Sequence, residues 1–442
     1  MTKPVFSLVT AALTMVGMIA TTPAFGEREE YPFGFGLTFG ARQSDNADHI
    51  PDGGSTISGR PISKRNDTQF RVYPTFSFEY NFDNTVRLQL YYHPTYIWNT
   101  NPREGGTKSE FTHGADALLR FQASPRTTLL FTDNLTWSGD KSWYYGDVFT
   151  DTPAERSVRD DKHYVNRAHL ELSRNMSARL NGNVYGTYQI KRFDNTRLAN
   201  HYDEDVYVIG VGITKIRNTH LSYGLYARYT RFDRSTHGKI EDRNGIIDNG
   251  VQYIDAGFRI TYDIRGDKHL VLNATSGYNY MWYEAEINED GGKFGDVTLS
   301  LSINQTERTG GAIGFRYGRN YSEIFPYSSQ DDFSIFGSIF TRVDKSGDLK
   351  LSASFEYRKR SYDLITVDPD SYDAASWESW IVENAYQASG DRISIYLRLG
   401  ADYKLTKSIS FGAFYSYENV ESDVDTDYTE NVFGASVTVT FL

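Results

Sequence analysis

The strongest constraint on this chain is a two-residue alternation of apolar and polar side chains over long segments. Residues 76–98 read FSFEYNFDNTVRLQLYYHPTYIW, with an apolar or aromatic residue at nearly every second position. Polar residues such as Ser77, Glu79 and Arg87 occupy the positions between them. Because successive side chains of a strand point to opposite faces of a sheet, this pattern predicts two long strands joined by a turn at 83–84.

The same alternation continues almost to the C-terminus. The clearest further runs cover residues 33–39, 115–121, 180–190, 207–213, 254–264, 270–274, 349–357, 393–399, 409–417 and 433–441. With weaker segments included, we predict about 18 strands of roughly 10–14 residues, whereas globular strands average about 5–6. A bulge or a register error in the weak segments would reduce the number to 16. A soluble β-sandwich is the alternative, but its strands are shorter.

Short and long connections alternate along the chain. The short ones are predicted at 83–84, 123–126, 174–176, 215–218, 265–268, 305–310, 344–348 and 406–408. The long ones are predicted at 43–67, 99–110, 139–162, 192–204, 232–249, 283–294, 320–331, 361–391 and 418–430. Short turns at one end, long loops at the other and an even strand number are typical of an all-β, transmembrane antiparallel β-barrel. We predict no plug domain.

Composition favours spanning strands over spanning helices. The mean hydropathy is −0.53, yet 15% of the residues are aromatic. Ten residues at about 3.4 Å each, tilted by about 45°, span about 24 Å, the height of the apolar band of such a barrel. Trp98, Trp137 and Trp282 fall at loop ends of strands, and Phe121 and Tyr262 fall at turn ends. These are the places for two aromatic girdles.

The N-terminus has the layout of a secretory signal peptide. Lys3 precedes an apolar segment at 5–20, and small residues stand at both ends of the triplet 24–26. We therefore predict a signal peptide at 1–26 and a barrel at 27–442.

Some residues break the pattern. Asp133 and Asn166 fall on the predicted lipid face. The segments between 293 and 342 alternate weakly, and Phe336 and Phe340 fall on the predicted lumen face there.

Basic residues predominate on the predicted lumen face. The candidate pore-lining residues are Arg71, Arg87, Arg120, Arg179, Arg228, Arg259, Arg316, Arg358, Arg392 and Arg398. Acidic residues on the same face are Glu79, Asp116, Glu171, Asp255, Asp263, Asp296, Glu356, Asp402, Glu418 and Glu430. One interpretation is that the arginines pair with these carboxylates and stiffen the wall. The other is that a surplus of guanidinium groups attracts anions. Inward tyrosines such as Tyr185 and Tyr226 offer stacking surfaces for sugars or simply fill the wall.

Nothing in the sequence indicates catalysis, a cofactor or a metal site. The absence of Cys excludes disulfides, thiolate metal sites and thiol nucleophiles. The histidines are scattered, with no Ser in a recognisable catalytic frame. The acidic segment at 423–428 lacks the turn Gly and the bidentate Glu of a Ca²⁺-binding loop. We predict that the protein is not an enzyme.

The last segment, NVFGASVTVTFL, is similar to the signal that the barrel-assembly machinery reads in outer-membrane proteins. It carries Gly434, alternating Val437 and Val439, and Phe441, but departs in ending on Leu442. With its strand pattern, the mature chain resembles the bacterial outer-membrane β-barrel porins, including the 18-strand alginate-export channel. The resemblance implies the outer membrane of a Gram-negative bacterium.

The resemblance also implies the partners. These are outer-membrane lipid and lipopolysaccharide, the barrel-assembly machinery and, for an exporter, periplasmic polysaccharide-export components. No nucleic-acid partner is expected.

The resemblance implies passive passage of solutes or of a polysaccharide chain, and the basic residues of the predicted lumen face indicate that the solutes are hydrophilic and anionic or that the polymer is an acidic exopolysaccharide. The alternative is a surface adhesin or receptor that displays its loops. The aromatic segments SWYYGD (142–147) and SWESW (376–380) suit that alternative.

Overall fold

The chain folds as one antiparallel sheet, seen in a computed structural model that describes residues 33–46, 64, 66–82, 85–101, 108–138, 163–193, 203–234, 251–264, 270–283, 293–304, 308–320, 330–343, 346–362, 390–423 and 427–441. Its segments are β1 Phe33–Ser44, β2 Asp67–Phe82, β3 Val86–Tyr92, β4 Thr95–Asn99, β5 Ser109–Ser124, β6 Thr127–Ser138, β7 His163–Ser177, β8 Leu180–Phe193, β9 Glu204–Ile216, β10 Leu221–Arg234, β11 Val251–Asp263, β12 Leu270–Tyr283, β13 Lys293–Asn304, β14 Thr309–Asn320, β15 Gln330–Arg342, β16 Leu349–Tyr362, β17 Gly390–Lys404, β18 Ile409–Ser422 and β19 Tyr428–Phe441. Within these ranges, no helix has the length and hydropathy that crossing a membrane requires.

The sheet closes on itself. β1 pairs antiparallel with β2 on one side and with the last strand, β19, on the other. The remaining segments pair antiparallel with their neighbours in chain order. A closed ring of strands leaves no edge with unpaired N–H and C=O groups, which is what a hydrocarbon environment demands of a sheet.

Segments β3 and β4 are two halves of one barrel strand. Both pair with β2 and with β5, and Tyr92 and Tyr96 keep the same register on each side of the gap. The gap lies at Pro94, which has no N–H to donate to the ladder. The His93 N–H still donates to the Gly114 carbonyl at 2.8 Å. The nineteen segments of the described chain therefore occupy 18 positions around the barrel. The prediction of about 18 strands is confirmed, and the alternative of 16 is wrong.

Several predicted boundaries of the connections differ from the strand ends in the structure, three of them for identifiable physical reasons. The turn after β7 lies at 178–179 instead of 174–176, because a bulge between Asn175 and Ser177 lengthens the strand. A second bulge, between Gln122 and Ser124, likewise displaces the turn after β5 to 125–126.

The predicted last loop, 418–430, is the third such boundary. Glu418 and Glu430 are cross-strand neighbours within β18 and β19, so the connection shrinks to 423–427. Polar residues at a strand end have the same composition as loop residues, so the apolar pattern alone does not distinguish them.

The two faces of the sheet differ in crowding. The apolar face leaves large side chains open to the outside, with Leu225 65% and Ile209 61% exposed. On the other face, charged side chains such as Asp255, Asp332 and Arg392 are buried. Because the concave side of a closed sheet is the more crowded one, the polar face is the lumen wall. The alternation therefore predicted both faces correctly.

The weakly patterned region forms regular strands. β13, β14 and β15 pair in continuous register. Phe336 and Phe340 lie on the lumen face, as expected, and the Lys350 ammonium stands 5.2 Å from the centre of the Phe340 ring. An aromatic ring on the lumen wall thus supports a cation instead of meeting lipid.

Several predictions concern residues outside the described ranges. These are the signal peptide at 1–26 and the aromatic segments at 142–147 and 376–380. The absence of a plug domain stays a prediction as well.

The face assignment makes a testable difference between two neighbouring residues. Ile313 faces outward and is 56% exposed, whereas Ser338 on the adjacent strand is exposed to the lumen. We expect Ile313→Arg to lower the free energy of unfolding by about 2–4 kcal/mol, the cost of a basic side chain near the bilayer midplane. Ser338→Arg should cost little, because its guanidinium reaches water.

The measurement is a urea titration of the barrel in lipid vesicles, followed by the mobility shift of unheated protein on a gel. Equal losses for the two variants would show that the faces are assigned wrongly.

Candidate functional site: the lumen wall

The structure places nine of the ten candidate pore-lining arginines on the lumen face. They are Arg71, Arg87, Arg120, Arg228, Arg259, Arg316, Arg358, Arg392 and Arg398. Arg179 is the exception, and its prediction was wrong. It lies in the turn at 178–179, where its N–H donates to Ser177 Oγ at 3.2 Å. Because the bulge in β7 displaces the turn, Arg179 lies in the turn and not on the lumen wall.

The lumen wall is more acidic than the sequence indicated. Four carboxylates were missed on this face: Asp67, Glu110, Glu204 and Asp332. The first three were assigned to loops, because the strands begin earlier than the apolar pattern does. Asp332 is four residues before Phe336 on the same strand and therefore lies on the same face. The alternation could have identified Asp332 as a lumen residue from the predicted position of Phe336. One cation, Arg234, was missed opposite Glu204.

Three of the candidate arginines are neutralised by carboxylates on the same wall. Arg358 Nε donates to both carboxylate oxygens of Asp332, at 2.9 and 3.0 Å. Arg228 contacts Asp255 at 2.6 Å, and Arg87 contacts Glu79 at 2.6 Å. Asp332 and Asp255 are buried, so their arginines compensate charges that would otherwise be costly.

A buried polar cluster stands near the loop end of β16–β19. Arg360 and Arg392 face each other across β16 and β17, and both are buried. The Tyr428 hydroxyl donates to Glu418 Oε1 at 3.1 Å. Glu430 accepts from Ser44 Oγ at 2.5 Å. Here cations and carboxylates lie together on the lumen wall.

A second set of lumen arginines has no carboxylate partner among the described residues. Its members are exposed to the lumen, and they are Arg120, Arg167, Arg259, Arg316 and Arg398. We call them the free arginines. Arg167 and Arg316 stand nearer the loop ends of their strands, and the other three nearer the turn ends. A solute crossing the barrel would therefore meet an uncompensated guanidinium at both ends of the wall.

Two of the free arginines rest on aromatic rings. The Arg259 guanidinium carbon lies 4.8 Å from the centre of the Tyr226 ring, and that of Arg398 lies 4.4 Å from the centre of the Phe414 ring. A cation over a ring face gains about 0.5–1 kcal/mol at an exposed site. The rings thus hold the charges in place without neutralising them.

The rings in turn lie over glycines of the neighbouring strand. Tyr226 faces Gly257, and Phe414 faces Gly434. A Cβ on either glycine would overlap the ring or its hydroxyl. The same arrangement recurs in two further pairs, Tyr185 over Gly210 and His93 over Gly114. Each glycine lets a ring lie flat against the wall, which keeps the lumen open.

The described wall includes an apolar cluster. Val206 and Phe232 are buried on the lumen face, and Val208 and Tyr253 pack against them. The sequence did not single out this cluster, because the positions between the outward residues of the segment from Val206 to Ile213 are also apolar or Gly. Elsewhere in the described wall, no group of three or more His, Cys, Asp or Glu residues is arranged to hold a metal ion.

Comparison with known proteins gives remote structural similarity only. No protein-family model matches the sequence, and no curated protein matches it. Similar solved structures include OccAB4 of Acinetobacter baumannii, with a TM-score of 0.45, 9% identity, and coverage of 93% of this chain and 99% of that one.

Two further similar structures come from Pseudomonas aeruginosa. The outer membrane protein OpdK has a TM-score of 0.46 and 10% identity, covering 92% of this chain and 99% of its own. The ferric enterobactin receptor PfeA has a TM-score of 0.47 and 10% identity, covering 94% and 82%. Similarity this remote assigns neither a family nor a ligand to this chain.

The pairing of rings with glycines predicts a measurable effect of one methyl group. In Gly210→Ala, the new Cβ should push the Tyr185 ring off the wall and into the lumen. Because the ring has water to rotate into, we expect a stability loss below the about 1–3 kcal/mol that over-packing costs in a closed core. Single-channel conductance in a planar bilayer should fall.

Adding Tyr185→Ser to Gly210→Ala should restore the conductance, since no ring is left to displace. A fall in conductance that survives the double substitution would place the obstruction elsewhere.

Proposed function

We propose that this barrel is a non-enzymatic outer-membrane channel for the passive passage of hydrophilic, anionic solutes. The observation that carries the proposal is the set of free arginines, which are exposed to the lumen and have no carboxylate partner among the described residues.

The outer wall supports the membrane setting. A closed antiparallel barrel with an apolar exterior is a form in which a sheet can satisfy its backbone within hydrocarbon. Tyr96, Trp98 and Trp137 lie outward at loop ends, and Phe121 and Tyr262 lie outward at turn ends. Those positions match the two aromatic girdles of outer-membrane barrels.

The charge arrangement supports the preference for anions. A paired arginine such as Arg358 cancels Asp332 and contributes little field. A free arginine keeps its charge and presents a planar fork of donors that fits carboxylate or phosphate. Screening over about 8–10 Å at physiological salt limits each charge to its surroundings. Free arginines spread from loop end to turn end are therefore more effective than one dense cluster.

The stacked rings favour recognition of charge over recognition of sugar faces. The ring of Tyr226 has the wall and Gly257 on one side and Arg259 over its face. Phe414 is enclosed in the same way by Gly434 and Arg398. These rings are not open to stack on a sugar. An acidic exopolysaccharide, the polymeric member of the proposed solute class, would bind through its carboxylates.

The proposal predicts anion selectivity that depends on the free arginines. In a KCl gradient at low salt, the reversal potential of the wild-type channel should indicate that chloride is more permeant than potassium. The triple variant Arg259→Gln/Arg316→Gln/Arg398→Gln should lose most of this preference. The anion preference of the wild type should also decline as the salt concentration rises, because the screening length becomes shorter.

The matched control removes a neutral pair. Arg358→Gln/Asp332→Asn deletes one cation and one anion from the same wall, and it should leave the reversal potential unchanged. Cation selectivity of the wild type would refute the proposal. Absence of conductance would favour the adhesin or receptor alternative.

A further inference from the structure

The outer wall carries a polar pair where lipid is expected. Asp133 on β6 faces outward, directly opposite Ala117 of β5 and Ala168 of β7. Asn166 of β7 faces outward one step nearer the loop end, opposite Leu135. The outward positions of β6, in order from the turn end to the loop end, are Leu129, Phe131, Asp133, Leu135 and Trp137. Asp133 is the middle one, so it stands near the centre of the apolar band.

The pair satisfies only part of its hydrogen-bonding capacity. Asn166 Nδ2 donates to Asp133 Oδ1 at 3.0 Å and reaches the Asn134 carbonyl at 3.5 Å. In the part of the chain that the structure describes, Asp133 has no cationic partner and accepts no other hydrogen bond. A charged residue on the lipid face destabilises a barrel most at mid-depth. Hydrocarbon offers this carboxylate no donor.

The surface around the pair is recessed. Ala117, Asp133 and Ala168 form one row across three strands, and all have short side chains. Larger residues bound this row, with Leu90 on the β3 side and Tyr188 on the β8 side. Protein surfaces approach closely within membranes where small residues and hydrogen-bonding side chains occur together, as between membrane helices.

We propose that a second copy of this chain docks on this recess about a two-fold axis. The pair is self-complementary, since it offers an amide donor beside a carboxylate acceptor. A two-fold rotation brings the Asn166 amide of one copy to the Asp133 carboxylate of the other, and the reverse, as an isologous interface requires. A lipid chain has the shape for the recess but no donor for the carboxylate.

The chain has no Cys, so single substitutions report on the interface in otherwise unaltered protein. In membranes under oxidising conditions, Ala168→Cys should form mostly disulfide-linked dimer, because residue 168 adjoins the axis. Ala256→Cys, at an exposed position on the outward face of β11, should stay mostly monomeric, whereas Ala168 is half-buried. Linkage at 256 and none at 168 would overturn the proposal.

A second measurement tests the polar pair itself. Native mass spectrometry should find two copies for the wild type, and one copy for Asp133→Leu/Asn166→Leu, whose folding is checked by its heat-dependent gel mobility. Asp133→Asn, which keeps an acceptor without the charge, should preserve the dimer. A monomeric wild type, a trimer, a complex with a different protein, or a dimer that survives the double Leu substitution would each overturn the proposal.

Discussion

The structure depends on one requirement, which is that every backbone N–H and C=O in the wall finds a partner within the wall. In hydrocarbon an unpaired backbone group costs several kcal/mol, so a sheet in a membrane must close. The pairing of β1 with both β2 and β19 meets that requirement. Closure also fixes which way each side chain points. Once one strand's apolar face is outward, the register carries that choice around the ring.

This coupling explains what the sequence could predict. A two-residue period shows directly which face of the sheet each residue occupies, so the faces of most strands followed from alternation alone. Arg259, Arg316 and Arg398 were found in this way. Where both faces are apolar, as between Val206 and Ile213, the alternation predicts the outward residues but does not mark the apolar lumen cluster with Phe232.

Strand ends were the main source of error. Asp67, Glu110 and Glu204 belong to the wall, yet they lie beyond the apolar pattern, because the strands extend past the apolar band. Arg179 failed for a related reason, since a bulge inserts a residue that periodicity cannot foresee. A second limit is that the sequence does not show which arginine forms an ion pair with which carboxylate. Arg358 and Arg398 are on the same face of two adjacent strands, but only cross-strand geometry distinguishes the one that Asp332 neutralises from the one that keeps its charge.

The interruption at Pro94 has a mechanical consequence. Pro74 of β2 carries the same lack of an amide donor, and the common register of Tyr92 and Tyr96 with β2 places the two prolines opposite each other. At this place two adjacent strands of the wall both lack a hydrogen bond, whereas other ladders, such as that between β16 and β17, run unbroken. A ring of unequal stiffness deforms first at its softest sector. Thickness changes or lateral pressure in the bilayer would accordingly bend this barrel into an oval along a fixed direction, set by two residues that touch neither solute nor partner.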